Sequence, residues 1–165
     1  NELALCPPPS PPPSPSPPPP PHSDCRRARV GDVRLSTFPE GLVLIYGQEG
    51  HTNSWGTMCG AGIEDNPKVG DVICRSLGYE KSDASKAALV DNSDDPKVVR
   101  DAPVHRLATR CATGNESAIS ECEETDDDRR RCLRHEYDLS LRCTGYKHPH
   151  FKPPYPEFCD EDQQA

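Results

Sequence analysis

The sequence predicts a disulfide-rich α+β domain with an N-terminal polyproline II arm and an extended C-terminal tail. Three observations carry this reading. Nine cysteines are spread along 165 residues. Apolar residues alternate at period two on either side of one stretch with helical spacing. Both flanking segments are punctuated by proline. On composition the chain divides into an arm over residues 1–29, a domain over residues 30–144 and a tail over residues 145–165.

The arm contains residues 7–21, which are only Pro and Ser. Proline fixes φ and has no backbone donor, so this stretch can be neither helix nor central strand. It is expected to form a polyproline II rod of roughly 45 Å, at about 3.1 Å per residue. The plain reading is a stiff spacer. A ligand for a PxxP reader fits less well, because those readers are mostly intracellular.

In the domain, Val33 and Leu35 alternate, as do Leu42, Leu44 and Tyr46, which predicts short half-buried strands around a turn at residues 39–41. Trp55-Gly56-Thr57-Met58-Cys59 reads as another strand. Asn66 as N-cap and Pro67 at the first helical position then predict a helix carrying Val69, Val72, Ile73, Cys74 and Leu77, stopped by Gly78. Residues 81–101 are polar and read as a long surface loop. Tyr137, Leu139 and Leu141 alternate in a closing strand that delivers Cys143. The tail has aromatics but no period, and is expected to lie extended on its own surface or a neighbour's.

Apolar residues make up 33% of the chain and aromatics 5%, too little for the interior to hold itself together unaided. The cysteines offer the alternative. Zinc sites need ligand pairs two to four residues apart, and no two cysteines here are that close. The chain therefore reads as a secreted protein from an oxidising compartment. It has no apolar run near the eighteen or so residues that would span a bilayer. It opens Asn-Glu-Leu-Ala-Leu-Cys, without initiator Met or leader, and reads as a processed chain or a segment of a longer one. The net charge of −8 argues against nucleic acid, and Arg129-Arg130-Arg131 is offset by Asp126-Asp127-Asp128 directly before it.

Several ordered motifs together resemble the scavenger receptor cysteine-rich family. They are Val33-Arg34-Leu35, Gly41-Leu42-Val43-Leu44-Ile45-Tyr46, Trp55-Gly56-Thr57-Met58-Cys59, Val72-Ile73-Cys74-Arg75-Ser76-Leu77-Gly78-Tyr79, and Gly114-Asn115-Glu116-Ser117 between Cys111 and Cys122. The resemblance spans about residues 31–144. It implies a curved antiparallel sheet cradling one helix. The cysteine pattern is that of the six-cysteine subgroup, since Tyr79 stands where an eight-cysteine member has one of its extra pair. That subgroup implies the bridges Cys59–Cys132, Cys74–Cys143 and Cys111–Cys122. Three cysteines remain, an odd number. Joining Cys25 to Cys159 clasps the ends of the domain and leaves Cys6 for another chain; the alternative pairs Cys6 with Cys25 across the rod, which its stiffness disfavours.

Many family members hold a divalent cation with two acids after the first framework cysteine and the Glu of Gly-Asn-Glu-Ser. Here Gly60 and Ala61 replace the two acids, so only Glu116 and Asp65 remain as metal candidates, and the resemblance implies an absent or weak site. Asp91, Asp94 and Asp95 form an acidic stretch best read as solvated, and His148-Pro149-His150 a weak metal pair. Asn115-Glu116-Ser117 is an N-glycosylation sequon, weighed equally against an unmodified turn. The Pro/Ser run is similar to the hydroxyproline-rich glycoproteins of plant and green-algal walls, of extensin and pherophorin type. That likeness implies hydroxylation and O-glycosylation at Pro7, Pro8, Pro9, Pro11, Pro12, Pro13, Pro15, Pro17, Pro18, Pro19, Pro20 and Pro21.

No nucleophile–base motif or phosphate loop is present, so no enzyme and no cofactor is expected. Two functions are expected to compete. One is a structural subunit of an extracellular glycoprotein fibre or matrix, such as a flagellar hair, wall or sheath, self-associating or bound to other glycoproteins. The other is a receptor or adhesion ectodomain that binds protein or glycan ligands.

Overall fold

The computed structural model describes residues 10–16, 25–147 and 157–159. Residues 10–16 are exposed and lie outside any helix or strand. Strand β1 (Val33–Leu35) turns into β2 (Glu40–Glu49), with Val33 opposite Ile45 and Leu35 opposite Val43. Hydroxyls close this hairpin. Ser36 Oγ accepts the Leu42 amide at 2.9 Å, and Thr37 Oγ1 donates to the Glu40 carbonyl. Along β2 the core face is Val43, Ile45 and Gly47, whereas Leu42, Leu44 and Tyr46 stand on the half-buried face. Both faces of this strand are apolar, so alternation alone shows a strand without showing which face is inside.

Strand β3 (Thr52–Met58) pairs with β2 along six residue positions, Leu44 to Glu49. The other end of β2, Glu40 to Leu42, pairs with the last strand instead. One strand thus serves two neighbours along its length, and the sheet curls.

Helix α1 (Lys68–Ser76) begins one residue later than predicted, with Pro67 in the cap position. Asn66 is otherwise engaged. Its amide donates to the Ile63 carbonyl at 3.1 Å, closing the 3-10 turn Ile63–Asp65. At the other end Gly78 takes φ +88°. Its amide reaches the Arg75 carbonyl at 3.0 Å and that of Tyr79 reaches Cys74 at 3.0 Å, the paired bonds of a Schellman stop. Val69, Val72, Ile73 and Cys74 turn inward, each at most 1% exposed.

Residues 81–101 are not the irregular loop expected. They contain β4 (Lys81–Ser82), a 3-10 turn (Ala84–Lys86), β5 (Ala88–Val90) and α2 (Pro96–Asp101). Two- and three-residue strands have no room for alternation, and both form by pairing with the final strand. Helix α2 did carry a legible start. Asp95 accepts from the Lys97 amide at 2.9 Å, and Pro96 occupies the first turn. Asp91 closes a similar local turn on Ser93.

Strand β6 (Val104–Arg106) runs parallel to β3, and β7 (Thr109–Arg110) pairs with β8 (Glu123–Glu124) in a separate two-stranded sheet. Helix α3 (Arg129–Leu133) leads to β9 (Asp138–Thr144), whose Leu139, Leu141 and Cys143 face the core, as the alternation predicts. The main sheet has the order β4-β9-β2-β3-β6, with β1 also on β2 and β5 also on β9. It is antiparallel except at β6 and cradles α1. The fold is the curved α+β arrangement expected.

The His105 ring of β6 needs two glycines beneath it, Gly47 on β2 and Gly56 on β3. The His105 ring packs against Gly47 and Gly56, and a Cβ at either position would overlap it. At Gly56 a Cβ would also run into the Pro103 carbonyl, which accepts the Thr57 amide at 2.9 Å. Gly56→Ala is expected to destabilise the domain by about 1–3 kcal/mol through overpacking. Urea unfolding checks this, with Gly50→Ala as the comparison at a position with no atom within 4 Å of the added carbon but φ +62°.

Candidate functional site

Four disulfides fix the frame on which any site is presented. Cys59–Cys132 ties the end of β3 to α3, Cys74–Cys143 ties α1 to β9, and Cys111–Cys122 closes the loop between β7 and β8. These are the three pairs that the resemblance implies. Cys25–Cys159 joins the root of the arm to the end of the tail, across 134 residues. The chain-entropy model gives about 4–5 kcal/mol for each of the three long loops and about 3 kcal/mol for the short one. Cys6 lies outside the described residues.

The arm root and tail end form a small parallel pair. The Arg26 amide donates to the Glu157 carbonyl at 2.8 Å, and the Cys159 amide donates back to Arg26 at 3.0 Å. Phe158 between them seats on Trp55 edge-on, with centroids 5.0 Å apart. Arg34 lies over the same indole at 4.3 Å, Tyr46 meets it edge-on at 5.2 Å, and Arg26 caps Phe158 at 5.1 Å. Burying aromatic edges against each other and under guanidinium planes adds about 0.5–1.5 kcal/mol per ring pair beyond area. The tail does lie on the domain's own surface at these residues.

The position after Cys59, to which the resemblance assigns a cation in other family members, is closely packed in this chain. A Cβ on Gly60 would come within 2.5 Å of Leu89 Cδ2 and 3.0 Å of Leu139 Cδ1. The next residue, Ala61, is buried beside Cys59, Ala108 and Cys132. Strand β5 thus places Leu89 where an acidic side chain would start. The two remaining acids stand in different settings. Asp65 lines an open cleft of about 700 Å³ with Asp127, Asp128 and Arg110, the last held to Asp127 at 2.8 Å. Glu116 is not among that cleft's lining residues; its Oε1 accepts the Thr113 amide at 3.0 Å. Among the described residues, one grouping of ligand-type atoms includes Glu116 with Cys111 and Cys122. Those sulfurs are bonded to each other, so they offer no thiolate. Glu116 beside two bonded sulfurs does not fit a cation, and Asp65 stands in a separate cleft.

Glu116 instead organises its loop. The Thr113 backbone N–H, followed by its own, holds its carboxyl below the usual glutamate range. Glu121 does the same work one turn later, accepting from Ser117 Oγ at 2.9 Å, the Ser117 amide at 2.6 Å and the Ala118 amide at 3.2 Å. The Ser117 hydroxyl heads the causes that lower its carboxyl. Asn115, between these clamps, is exposed.

Sequence reading missed a buried polar knot. His135, at φ +60° and 4% exposed, brings Nδ1 to 3.0 Å from Asp138 Oδ2 and 3.2 Å from Thr57 Oγ1. Asn92 Nδ2 donates to the same Asp138 oxygen at 3.0 Å, and its amide donates to the His135 carbonyl at 2.8 Å. The knot ties the 92–95 turn, β3 and β9 together. His135, Asp138 and Thr57 are all buried, so it braces the fold and is closed to a substrate.

A curled antiparallel sheet around one helix, pinned by four disulfides, defines a disulfide-framed α+β domain. The family model of the scavenger receptor cysteine-rich domain matches residues 36–144. The chain belongs to that family, whose domains are non-catalytic protein-interaction modules of extracellular proteins. Among solved structures it is similar to the third such domain of murine neurotrypsin. Identity there is 28%, with 68% of this chain and 94% of that chain covered and a TM-score of 0.47. No helix among the described residues is long and apolar enough to cross a membrane.

Two outcomes are expected. Asp138→Ala leaves Asn92 and His135 without their buried acceptor and costs about 3 kcal/mol, read by urea denaturation. Glu116 and Glu121 titrate lower in the fold than in the open chain, so their contribution is complete above the usual glutamate range and disappears as pH falls through the lowered values. The protection of the Thr113, Ser117 and Ala118 N–H groups against hydrogen exchange, taken relative to their intrinsic rates at each pH, is therefore expected to fall in acid. Glu121→Gln should remove that acid dependence for Ser117 and Ala118.

Proposed function

We propose that this chain is a structural subunit of a secreted glycoprotein fibre or matrix, of the flagellar hair, wall or sheath kind. In this reading residues 30–144 are the protein-interaction unit, residues 1–29 a rod stiffened by proline and coated with O-linked sugar, and residues 145–165 the tail. The carrying observation is the cysteine count. Eight of the nine cysteines form four bridges with one another, which leaves Cys6, before the proline run, as the odd cysteine of this sequence. An odd cysteine in an oxidising compartment favours a bond to another chain. Repeated head to tail, such a contact that does not close on itself builds a filament.

Two further features support the reading. Residues 10–16 of the Pro/Ser run are exposed, as a sugar-bearing rod requires, and the Asn115 sequon lies exposed on the loop beside Cys111–Cys122. The similarity of the arm to wall hydroxyproline-rich glycoproteins points to a green-algal source. The cysteine pattern, three framework bridges and the extra clasp, fits the six-cysteine subgroup.

Non-reducing electrophoresis and negative-stain imaging of native material test this. Covalent oligomers or filaments that dissolve on reduction, with pentose mass increments on the peptide carrying residues 7–21, are the expected result. An unmodified monomer insensitive to reductant would instead favour a receptor or adhesion ectodomain.

A further inference from the structure

We infer that the Cys25–Cys159 bridge is a tension bypass, which keeps a pull on the two ends of the chain from ever reaching the folded domain. The inference deepens the fibre reading, which supplies the source of the tension. The mechanics itself follows from connectivity alone. The two cysteines stand 4.9 Å apart at Cα and enclose 134 residues of sequence separation. Every element of the sheet, α1 and the other three bridges lie inside that closed loop. A force entering through the arm before residue 25 and leaving after residue 159 runs across two side chains. The loop between them carries no load.

The surroundings of the bridge hold its two segments side by side. Segments 25–27 and 157–159 run parallel, bridged at Arg26 and Phe158. The arm leaves from the N-terminal end of one segment and the tail from the C-terminal end of the other. Both Arg26 hydrogen bonds lie just inside the closed loop, so opposed pulling passes them by while the bridge is intact. Phe158, wedged between Trp55 and Arg26, holds the tail end to β3 on the same inner side of the bridge. Arg26 also pairs with Asp32 at 3.0 Å, which fastens the root of the arm to the start of β1. Covalent and non-covalent fastenings thus sit at one point, where the chain enters and leaves the domain.

Single-molecule stretching of the full chain, with handles fused beyond residues 1 and 165, tests the proposal. Unreduced protein is expected to show no unfolding step, and only the roughly 30 residues outside the clasp lengthen, to about 100 Å. Cys25→Ser with Cys159→Ser opens the loop but keeps the inner bridges. The shortest covalent route then crosses Cys59–Cys132 and holds about 60 residues, so full extension grows by about 200 Å. This gain appears whether the variant folds or not. Full reduction of the unaltered chain should add about 470 Å. An unfolding step in unreduced chains, or a double variant no longer than the unaltered protein, would overturn the bypass. Because single chains are pulled, loss of the fibre reading through the electrophoresis above would leave this result standing.

Discussion

Helix α1 meets β9 through Cys74–Cys143, and the end of β3 meets α3 through Cys59–Cys132, with all four sulfurs at most 2% exposed. The rest of the domain is arranged around these two bonds. The apolar interior is modest: a few Val, Ile and Leu side chains from β1, β2, α1 and β9, closed by Met58 and Tyr79. Such an interior offsets the entropy of ordering the chain only when the unfolded state is already confined. The bridges confine it, and they connect elements far apart in sequence, which a small core would leave free to separate.

With the frame fixed covalently, local acids have taken on shaping work. Asp83, Asp91 and Asp95 each accept a backbone amide two residues on, and Glu116 and Glu121 brace the loop closed by Cys111–Cys122. These five acids are engaged in turns and loops. Gly60 leaves room for Leu89, and Ala61 is buried beside Cys59, Ala108 and Cys132, so this stretch is apolar packing.

The sequence announced those parts of the fold whose signals are local. The Val69, Val72 and Ile73 spacing with Gly78 beyond it marks α1, and Leu139, Leu141 and Cys143 mark β9. The resemblance implied the three framework pairs that the structure contains. What stayed hidden is non-local. Strands β4 and β5 exist because β9 offers them an edge, and three residues are too few to show a period. The choice of Val43 over Leu44 as the inward face depends on where β1 and α1 lie. The knot of Thr57, His135, Asp138 and Asn92 draws on three separate segments, and no motif spans them. Phe158 gave only a hint, an aromatic next to a cysteine in a tail without period.

The seat of Phe158 has a practical corollary. The chain has a single tryptophan, and that indole is the ring on which the tail end rests, with Arg34 over it and Tyr46 at its edge. Indole emission responds to lost ring contacts and to arriving water. The protein therefore carries a built-in optical gauge of whether residues 157–159 are docked, free of interference from any second fluorophore of its kind. A shift in that emission under mild reductant, before the far-ultraviolet signal of the sheet changes, would separate release of the tail from unfolding of the domain.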